Sequence, residues 1–396
     1  MSTLAGVLLA LSISADFEGG RIGKCEAVAE RHFRCSVPGE TDQDGRNRQA
    51  SWYYFRLNGA AAGEVTIDLV DLPGEYNYRP NAGPITPDTL PAYSYDGRDW
   101  QILQTIEYDK AGPRYRMRLT PKGATVWIAR LAPYTNQHLA ALLDEVRRHP
   151  HLKVESIGKT PEKRDLQLLT ITDPGVNDRS KKVIWLMARQ HSWESMTSWV
   201  AEGTVRFLLS DDAAAQRIRR EAIFKILPMA DPDGVARGGV RFNGQGYDLN
   251  RNWDTIDPKR TPEIYAQHAA ITGWMDRGGR IDLFLSMHNT ETGEYLEGPP
   301  DTDGKYKPLL ERFYGLLRDR TTFVTKLPPR SAGGSTTPGK PGRMTVVQGL
   351  YRDRKIPAFL TEQMVAANPK LGRVATVEDR KAFGAQLAQV MFEAVR

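Results

Sequence analysis

The stretch KVIWLMARQHSWESMTSWVAEGTVRFLLS, residues 182–210, decides the fold. Its first part, KVIWLMA (182–188), is a short continuous apolar run, which reads as a buried strand. Its last part, SMTSWVAEGTVRFLLS (195–210), reads as a helix. The loop between them holds Arg189-Gln190-His191-Ser192-Trp193-Glu194. The same alternation runs outward from this unit. LQLLTIT (166–172), AIFKILPMA (222–230), IDLFLSMH (281–288) and IPAFLTEQM (356–364) are strand-like. LLERFYGLLRDR (309–320) and KAFGAQLAQVMFEAV (381–395) are helical. Upstream, TNQHLAALLDEVRRHP (135–150) spaces its apolar residues as a helix does, with Thr135 as cap and His149-Pro150 as stop. Such alternation argues for an α/β domain with a mostly parallel sheet, whose site lies at the carboxyl ends of the strands.

Residues 1–130 have a different character. SWYYFRL (51–57), EVTIDLV (64–70), WQILQTIEY (100–108) and ATVWIARL (124–131) are short β-like runs separated by Gly, Pro, Asn and Asp clusters. Strands at this spacing point to a sandwich. The fold class is therefore α/β, with an N-terminal antiparallel β-sandwich over 1–131 and an α/β domain with a mixed, mostly parallel sheet over 132–396. The length of 396 residues agrees, since domains run to about 100–200 residues. The apolar run Leu4–Ile13 fits either a signal-peptide core or a first strand, and the strand is preferred. Cys25 and Cys35 flank a hairpin; they pair if the protein is exported and are otherwise two half-buried thiols.

Composition excludes several classes. Hydrophobic residues at 40% and charged residues at 26% rule out a disordered or fibrous chain. Two cysteines rule out a disulfide scaffold and a cysteine-only zinc site. No apolar run reaches the roughly 18 residues that span a bilayer. The net charge of +6 is scattered, without a basic recognition helix or aromatic sheet pattern, so no nucleic-acid partner is expected. The seven histidines are His32, His138, His149, His151, His191, His268 and His288, and any metal site must draw on them.

Three strand ends carry candidate ligands or acids: His191 with Glu194, then His288, then Glu362. Residues three apart on a turn entering a helix share a face. A His₂Glu set with an open fourth position is a known catalytic zinc arrangement. H-x-x-E alone is common by chance, and a lone histidine after a strand is more often a satisfied core residue. The intervening segment PMADPDGVARGGVRFNGQGYDLNRNWD (228–254) changes that balance. It holds a DPDG turn, an arginine nine residues before an Asn-Arg pair, and the run D-L-N-R-N-W.

On these motifs the sequence resembles the M14 zinc carboxypeptidases, and within them the cytosolic carboxypeptidase subfamily. SADFEGG (14–20), SWYYF (51–55) and APYT (132–135) extend the resemblance to the N-terminal part. The resemblance implies one Zn²⁺ per chain, held by His191, Glu194 and His288. It implies Glu362 as general base, Arg241 as oxyanion stabiliser, and Asn250 with Arg251 as the grip on the substrate's terminal carboxylate. The substrate would be a peptide or protein C-terminus. Arg343, in the loop SAGGSTTPGKPGRMTVV (331–347), which reads as mobile and polar, would meet an acidic side chain, with Lys340 as the lesser candidate. The chain also departs from the family. Ser192-Trp193 replaces a usual Pro-Gly, Asn289-Thr290 follows the third ligand, and no tyrosine lies between Tyr314 and Tyr351, leaving Tyr351 as the nearest substrate-closing candidate. A zinc amidase acting on small N-acyl amino acids is the alternative, and an inactive binding module a third reading. A cytoplasmic location is favoured slightly over export.

Overall fold

A computed structural model describes residues 11–60, 63–301, 304–333, 336–337 and 339–396. Among the described residues the N-terminal part forms two five-stranded sheets. One runs Ser12–Ser14, Tyr54–Asn58, Thr125–Ala129, Ala92–Ser94, Gln101–Ile102. The other runs Ile106–Asp109, Arg114–Leu119, Val65–Val70, His32–Ser36, Cys25–Ala29. Both sheets face a shared core holding Phe55, Leu57, Ile67, Leu69, Met117, Val126 and Ile128. Alternation drives this packing: in Arg114–Leu119 every second residue, Tyr115, Met117 and Leu119, is buried.

The predicted run 100–108 is divided between the two sheets, because Leu103 turns inward and its N–H bonds the Pro91 carbonyl. One pairing in the sandwich, His32–Ser36 with Val65–Val70, is parallel rather than antiparallel. Cys25 and Cys35 face each other across the antiparallel pair and are joined by a disulfide. The Ser12–Ser14 strand covers the end of the Leu4–Ile13 run; residues 4–10 lie outside the described residues.

The second part is built on an eight-stranded mixed sheet. Its order is Leu152–Lys159, Asp165–Ile171, Ala222–Leu227, Lys182–Ala188, Leu283–Thr290, Ala358–Met364, Tyr295–Gly298, Arg330–Ser331. The four central strands are mutually parallel. Period-two alternation divides their side chains between two faces. Ile184, Leu186 and Ala188 join Leu285 and Met287 under the helices Ser195–Leu209 and Val377–Val395. Trp185 and Met187 join Phe284 and Leu360 under Pro262–Asp276 and Val346–Arg354. The helices Ser195–Leu209 and Val377–Val395 touch through glycines, since a Cβ on Gly203 would lie 2.1 Å from the Lys381 carbonyl and one on Gly384 2.1 Å from that of Val200. Trp52, Tyr54 and Leu131 belong to the same core as Tyr134 and Trp199, so burial is continuous between the two parts.

Three local expectations are corrected. The first helix is Asn136–Val146, ending before His149-Pro150, with Arg147 N–H bonding the Leu143 carbonyl. DPDG opens a short helix, Pro232–Arg237, because Asp231 caps it and Pro232 occupies its first turn, where a missing N–H costs nothing. The end of the 331–347 loop is fastened: Asp254 accepts from Gly342 N and Met344 N at 2.9 and 3.1 Å, and Thr345 caps the helix Val346–Arg354.

Candidate metal centre and substrate cleft

The ends of the central strands bring the candidate ligands together. Arg189, just past Lys182–Ala188, adopts the left-handed backbone region (φ 64°), which turns the chain sharply out of the sheet. Its guanidinium then wraps the loop it opens, donating to the Ser192 carbonyl at 2.8 Å and the Tyr134 carbonyl at 3.1 Å. This holds His191 and, at the N-cap of the next helix, Glu194. On the neighbouring strands, register pairs His288 with Glu362, and Glu362 with Tyr295 on its other side. Directly paired residues share a face, so these three side chains stand in one row at one level of the sheet.

His191, Glu194 and His288 are buried and offer ligand atoms within 4.8 Å of one another. As ligands through Nδ1, both rings would carry the proton on Nε2 and present an Nδ1 lone pair. His191 Nε2 has an acceptor for it, Asp248 Oδ1 at 3.0 Å. His288 Nε2 meets the Gln190 Oε1 acceptor at 3.1 Å and the Asn250 Nδ2 donor at 3.3 Å. Those lone pairs face the carboxylate, with His191 Nδ1 2.8 Å from Glu194 Oε1 and His288 Nδ1 3.0 Å from Glu194 Oε2. Acceptor against acceptor at such distances repels unless a cation or a proton lies between them. Two imidazoles and one carboxylate are a donor set for zinc, so the residues present fit a metal ion.

Asp248, to which the sequence reading assigned no role although it opens the D-L-N-R-N run, ties this centre to Arg241. Its Oδ2 accepts from Arg241 Nε at 2.7 Å while Oδ1 serves His191. Burial alone would raise its carboxyl, but Arg241 and then His191 hold it well below the usual range. Arg241 lines a cleft of about 390 Å³ with Trp193, Asn289, Tyr295 and Glu362. Glu362 is half-buried on this wall, and burial first, then the Glu194 carboxylate, push it well above the usual carboxylate value. The Tyr295 hydroxyl donates to Glu362 Oε1 at 3.4 Å. Trp193, at the departure from Pro-Gly, makes a flat wall stacked 4.2 Å from the Arg130 guanidinium.

A second cavity of about 170 Å³ adjoins the first through Arg241 and Tyr76. Arg343 lines it, its Nη2 bonded to Asn77 Oδ1 at 2.7 Å. Burial, and then the nearby Arg251, lower the Arg343 guanidinium from its ordinary value. Arg251 is buried, donates to the Asn250 carbonyl at 2.7 Å, and leaves its Nε without a partner. The Asn250 side chain is engaged inward: Oδ1 accepts from Val346 N at 3.0 Å and Nδ2 lies 3.3 Å from His288 Nε2. Lys340 stands at the rim, 5.5 Å from the Tyr78 ring. Tyr351 lines neither cavity; its hydroxyl donates to Asp301 at 3.3 Å. The tyrosines that do line them are Tyr76 and Tyr78, from one hairpin of the N-terminal part, and Tyr295, from the strand beside Glu362. The sequence offers no motif for any of the three.

Comparison with known proteins agrees with this geometry. The family model described as zinc carboxypeptidase matches residues 139–303, and that described as the cytosolic carboxypeptidase N-terminal domain matches 13–131. A metallo-carboxypeptidase from Burkholderia cenocepacia superposes with a TM-score of 0.81 at 25% identity, covering 98% of this chain and 99% of that one. One from Pseudomonas aeruginosa, solved in complex with (2-guanidinoethylmercapto)succinic acid, gives 0.80 at 26% identity, covering 97% and 100%. Cytosolic carboxypeptidase 6 of Caenorhabditis elegans is 29% identical over 299 residues, 70% of this chain and 62% of its own length. The chain thus spans less than two thirds of that relative. With both family models matched in order and the His-Glu-His cluster in place, the chain belongs to the M14 family of zinc carboxypeptidases, hydrolases related to the cytosolic carboxypeptidases.

Proposed function

We propose that the protein removes single amino acids, acidic ones preferentially, from the C-termini of peptides or proteins. His191, Glu194 and His288 would hold one Zn²⁺, which supplies Lewis-acid polarisation and a water acidic enough to attack at neutral pH. Glu362 takes the proton of the attacking water and returns it to the leaving amine; its raised pKa suits both halves of that transfer. Arg241, with Nε committed to Asp248, has its two terminal amino groups left for the oxygen that gains charge in the transition state. Arg251, beside Asn250, meets the fixed terminal carboxylate, and Arg343 meets a side-chain carboxylate.

The observation that carries this reading is the convergence of Arg241, Arg251 and Arg343 near the His-Glu-His cluster, with Asp248 as the carboxylate bound to Arg241. Three arginines and a zinc ion together carry more positive charge than Asp248, Glu194 and Glu362 offset, and a substrate with a free carboxylate supplies the remainder. That the Pseudomonas aeruginosa neighbour was solved with a succinic acid derivative, a dicarboxylate, supports the same direction. We divide the chain into a β-domain, 1–131, and a catalytic domain, 132–396. No helix among the described residues is long and apolar enough to cross a membrane. A cytoplasmic location rests on the resemblance to cytosolic carboxypeptidases, whereas the Cys25–Cys35 bond belongs to an oxidising compartment; thiol trapping of protein taken from intact cells decides between them.

The test is a library of peptides varied at the C-terminal residue, incubated with zinc-loaded protein and read by mass spectrometry. Loss of one terminal Glu or Asp ahead of other residues is expected, and Glu362→Gln should keep its zinc while losing turnover. Full turnover by Glu362→Gln would sink the assignment of the base.

A further inference from the structure

Arg241 sits on a loop without regular secondary structure, between the Pro232–Arg237 helix and the D-L-N-R-N run. Three consecutive amides of that loop, Val240 N, Arg241 N and Phe242 N, all donate to one oxygen, Glu40 Oε2, at 3.0, 2.6 and 2.9 Å. Glu40 comes from the N-terminal part, some two hundred residues earlier in the chain. Successive N–H groups closing on one anion form a nest, and a carboxylate accepting several such bonds fixes their directions. Val240 and Phe242 are buried, so these N–H groups need that acceptor.

Glu40 is itself held rigidly. Its own N–H and carbonyl pair with those of Gln49 at 2.9 and 2.8 Å. Arg21 braces the approach by donating to the Pro38 and Gly39 carbonyls at 3.4 and 3.3 Å. The same N-terminal part touches the other side of Arg241, where the Tyr76 ring lies 5.4 Å from the guanidinium. Glu75 keeps Tyr76 there, because its carboxylate accepts from Arg46 Nε at 2.9 Å and its carbonyl accepts from Gln49 Nε2 at 2.7 Å. A continuous path follows: Glu40 to the Arg241 backbone, Arg241 Nε to Asp248, and Asp248 to His191.

We infer that Glu40 is a positioning residue for catalysis: the N-terminal domain aims Arg241, through the Glu40 nest on its backbone, at the charge that develops in the transition state. This rests on the role of Arg241 proposed above. Arg241 acts on a charge absent from the bound substrate, so misaiming it lowers kcat and leaves KM nearly alone.

The experiment uses full-length zinc-loaded protein and a peptide that the wild type cleaves. Glu40→Ala, Glu40→Gln, Arg241→Ala and the double variant Glu40→Ala/Arg241→Ala are compared, with zinc content and thermal midpoint measured on each. Glu40→Ala should lower kcat by roughly tenfold to a hundredfold, the scale of an ångström-sized misplacement, with KM within about twofold. Glu40→Gln keeps an acceptor oxygen and should recover part of the loss. Glu40→Ala should add almost nothing in the Arg241→Ala background, because the group it aims is gone. Three results overturn the inference: unchanged kcat in both Glu40 variants, a loss confined to KM, or a Glu40→Ala effect as large in the Arg241→Ala background as in the wild type. If Glu40→Ala proves unstable, Glu40→Gln and its double variant with Arg241→Ala carry the same comparison. Absence of cleavage by the wild type would instead count against the proposed function, so the two failures are distinct.

Discussion

Replacing Asp248 by asparagine probes the link between His191, the proposed metal ligand, and Arg241, the proposed oxyanion stabiliser. The native carboxylate accepts from His191 Nε2 at 3.0 Å, Arg241 Nε at 2.7 Å and the Asn250 amide at 2.9 Å. Asparagine has the same shape but one acceptor oxygen. Whichever way its amide turns, an –NH₂ group faces either His191 Nε2–H or Arg241 Nε–H, donor against donor. One charge-assisted hydrogen bond is lost, worth about 1.5–3 kcal/mol, and Arg241 loses its buried counter-charge. If the amide turns toward His191, zinc affinity falls; if toward Arg241, kcat falls. Carboxylate partners of metal-bound histidines typically contribute about 10–100-fold to affinity or activity, so a loss of that size is expected in at least one quantity. Zinc affinity is measured by competition with a chromogenic chelator, and kcat on the zinc-saturated variant. Asp248→Asn protein with wild-type zinc affinity and wild-type kcat would refute the reasoning.

Other consequences follow from single contacts. As the proposed base Glu362 must be deprotonated, so kcat/KM rises with pH through its pKa; Tyr295→Phe removes a hydrogen bond that lowers that pKa, and the acid limb should move to higher pH. A shift the other way contradicts the assigned contact. Gly384→Ala forces a methyl group against the Val200 carbonyl, where its Cβ would stand 2.1 Å away, so denaturant unfolding should show a loss of roughly 1–3 kcal/mol in spite of the better helix propensity of alanine. Arg373, and then burial working in the opposite direction and the Thr376 cap, leave Asp379 with its pKa lowered to about 2. Its pKa is depressed in the folded state, so its stabilisation is present above the unfolded value near 3.8 and is lost as pH falls toward 2. Asp379→Asn should therefore be less stable than wild type by about 1–2 kcal/mol at pH 7, allowing for the exposed Arg373, and the gap should close on acidification.

Much of the catalytic part is legible in the sequence because its strands are buried on both faces. KVIWLMA, IDLFLSMH and IPAFLTEQM appear as apolar runs, and their ends carry His191, His288 and Glu362 in the structure as expected. Periodicity says which residues are inside but not which strands are neighbours. The row of His288, Glu362 and Tyr295 depends on the strand pairing, so Tyr295 was invisible while its two partners were not. Asp248 stands in a recognised run, yet its bond to His191 joins residues 57 apart in the chain, and its bond to Arg241, seven residues away, depends on how the loop between them folds back. Chain position points to Tyr351 as the substrate-closing tyrosine, whereas the tyrosine beside Arg241 and Arg251 is Tyr76, from the N-terminal part of the chain. The 331–347 loop read as mobile because its composition is polar; Asp254 bonds to its backbone, which composition does not report.

On the proposed function the three arginines await a free terminal carboxylate next to the cluster of His191, Glu194 and His288. Zinc-loaded protein should be given two peptides of one sequence ending in glutamate, one with a free C-terminus and one amidated, and the products followed by mass spectrometry. Loss of a single glutamate from the free acid, with the amide left intact, is the predicted result. Equal cleavage of both peptides, or cleavage of neither while N-acyl amino acids are hydrolysed, would contradict it.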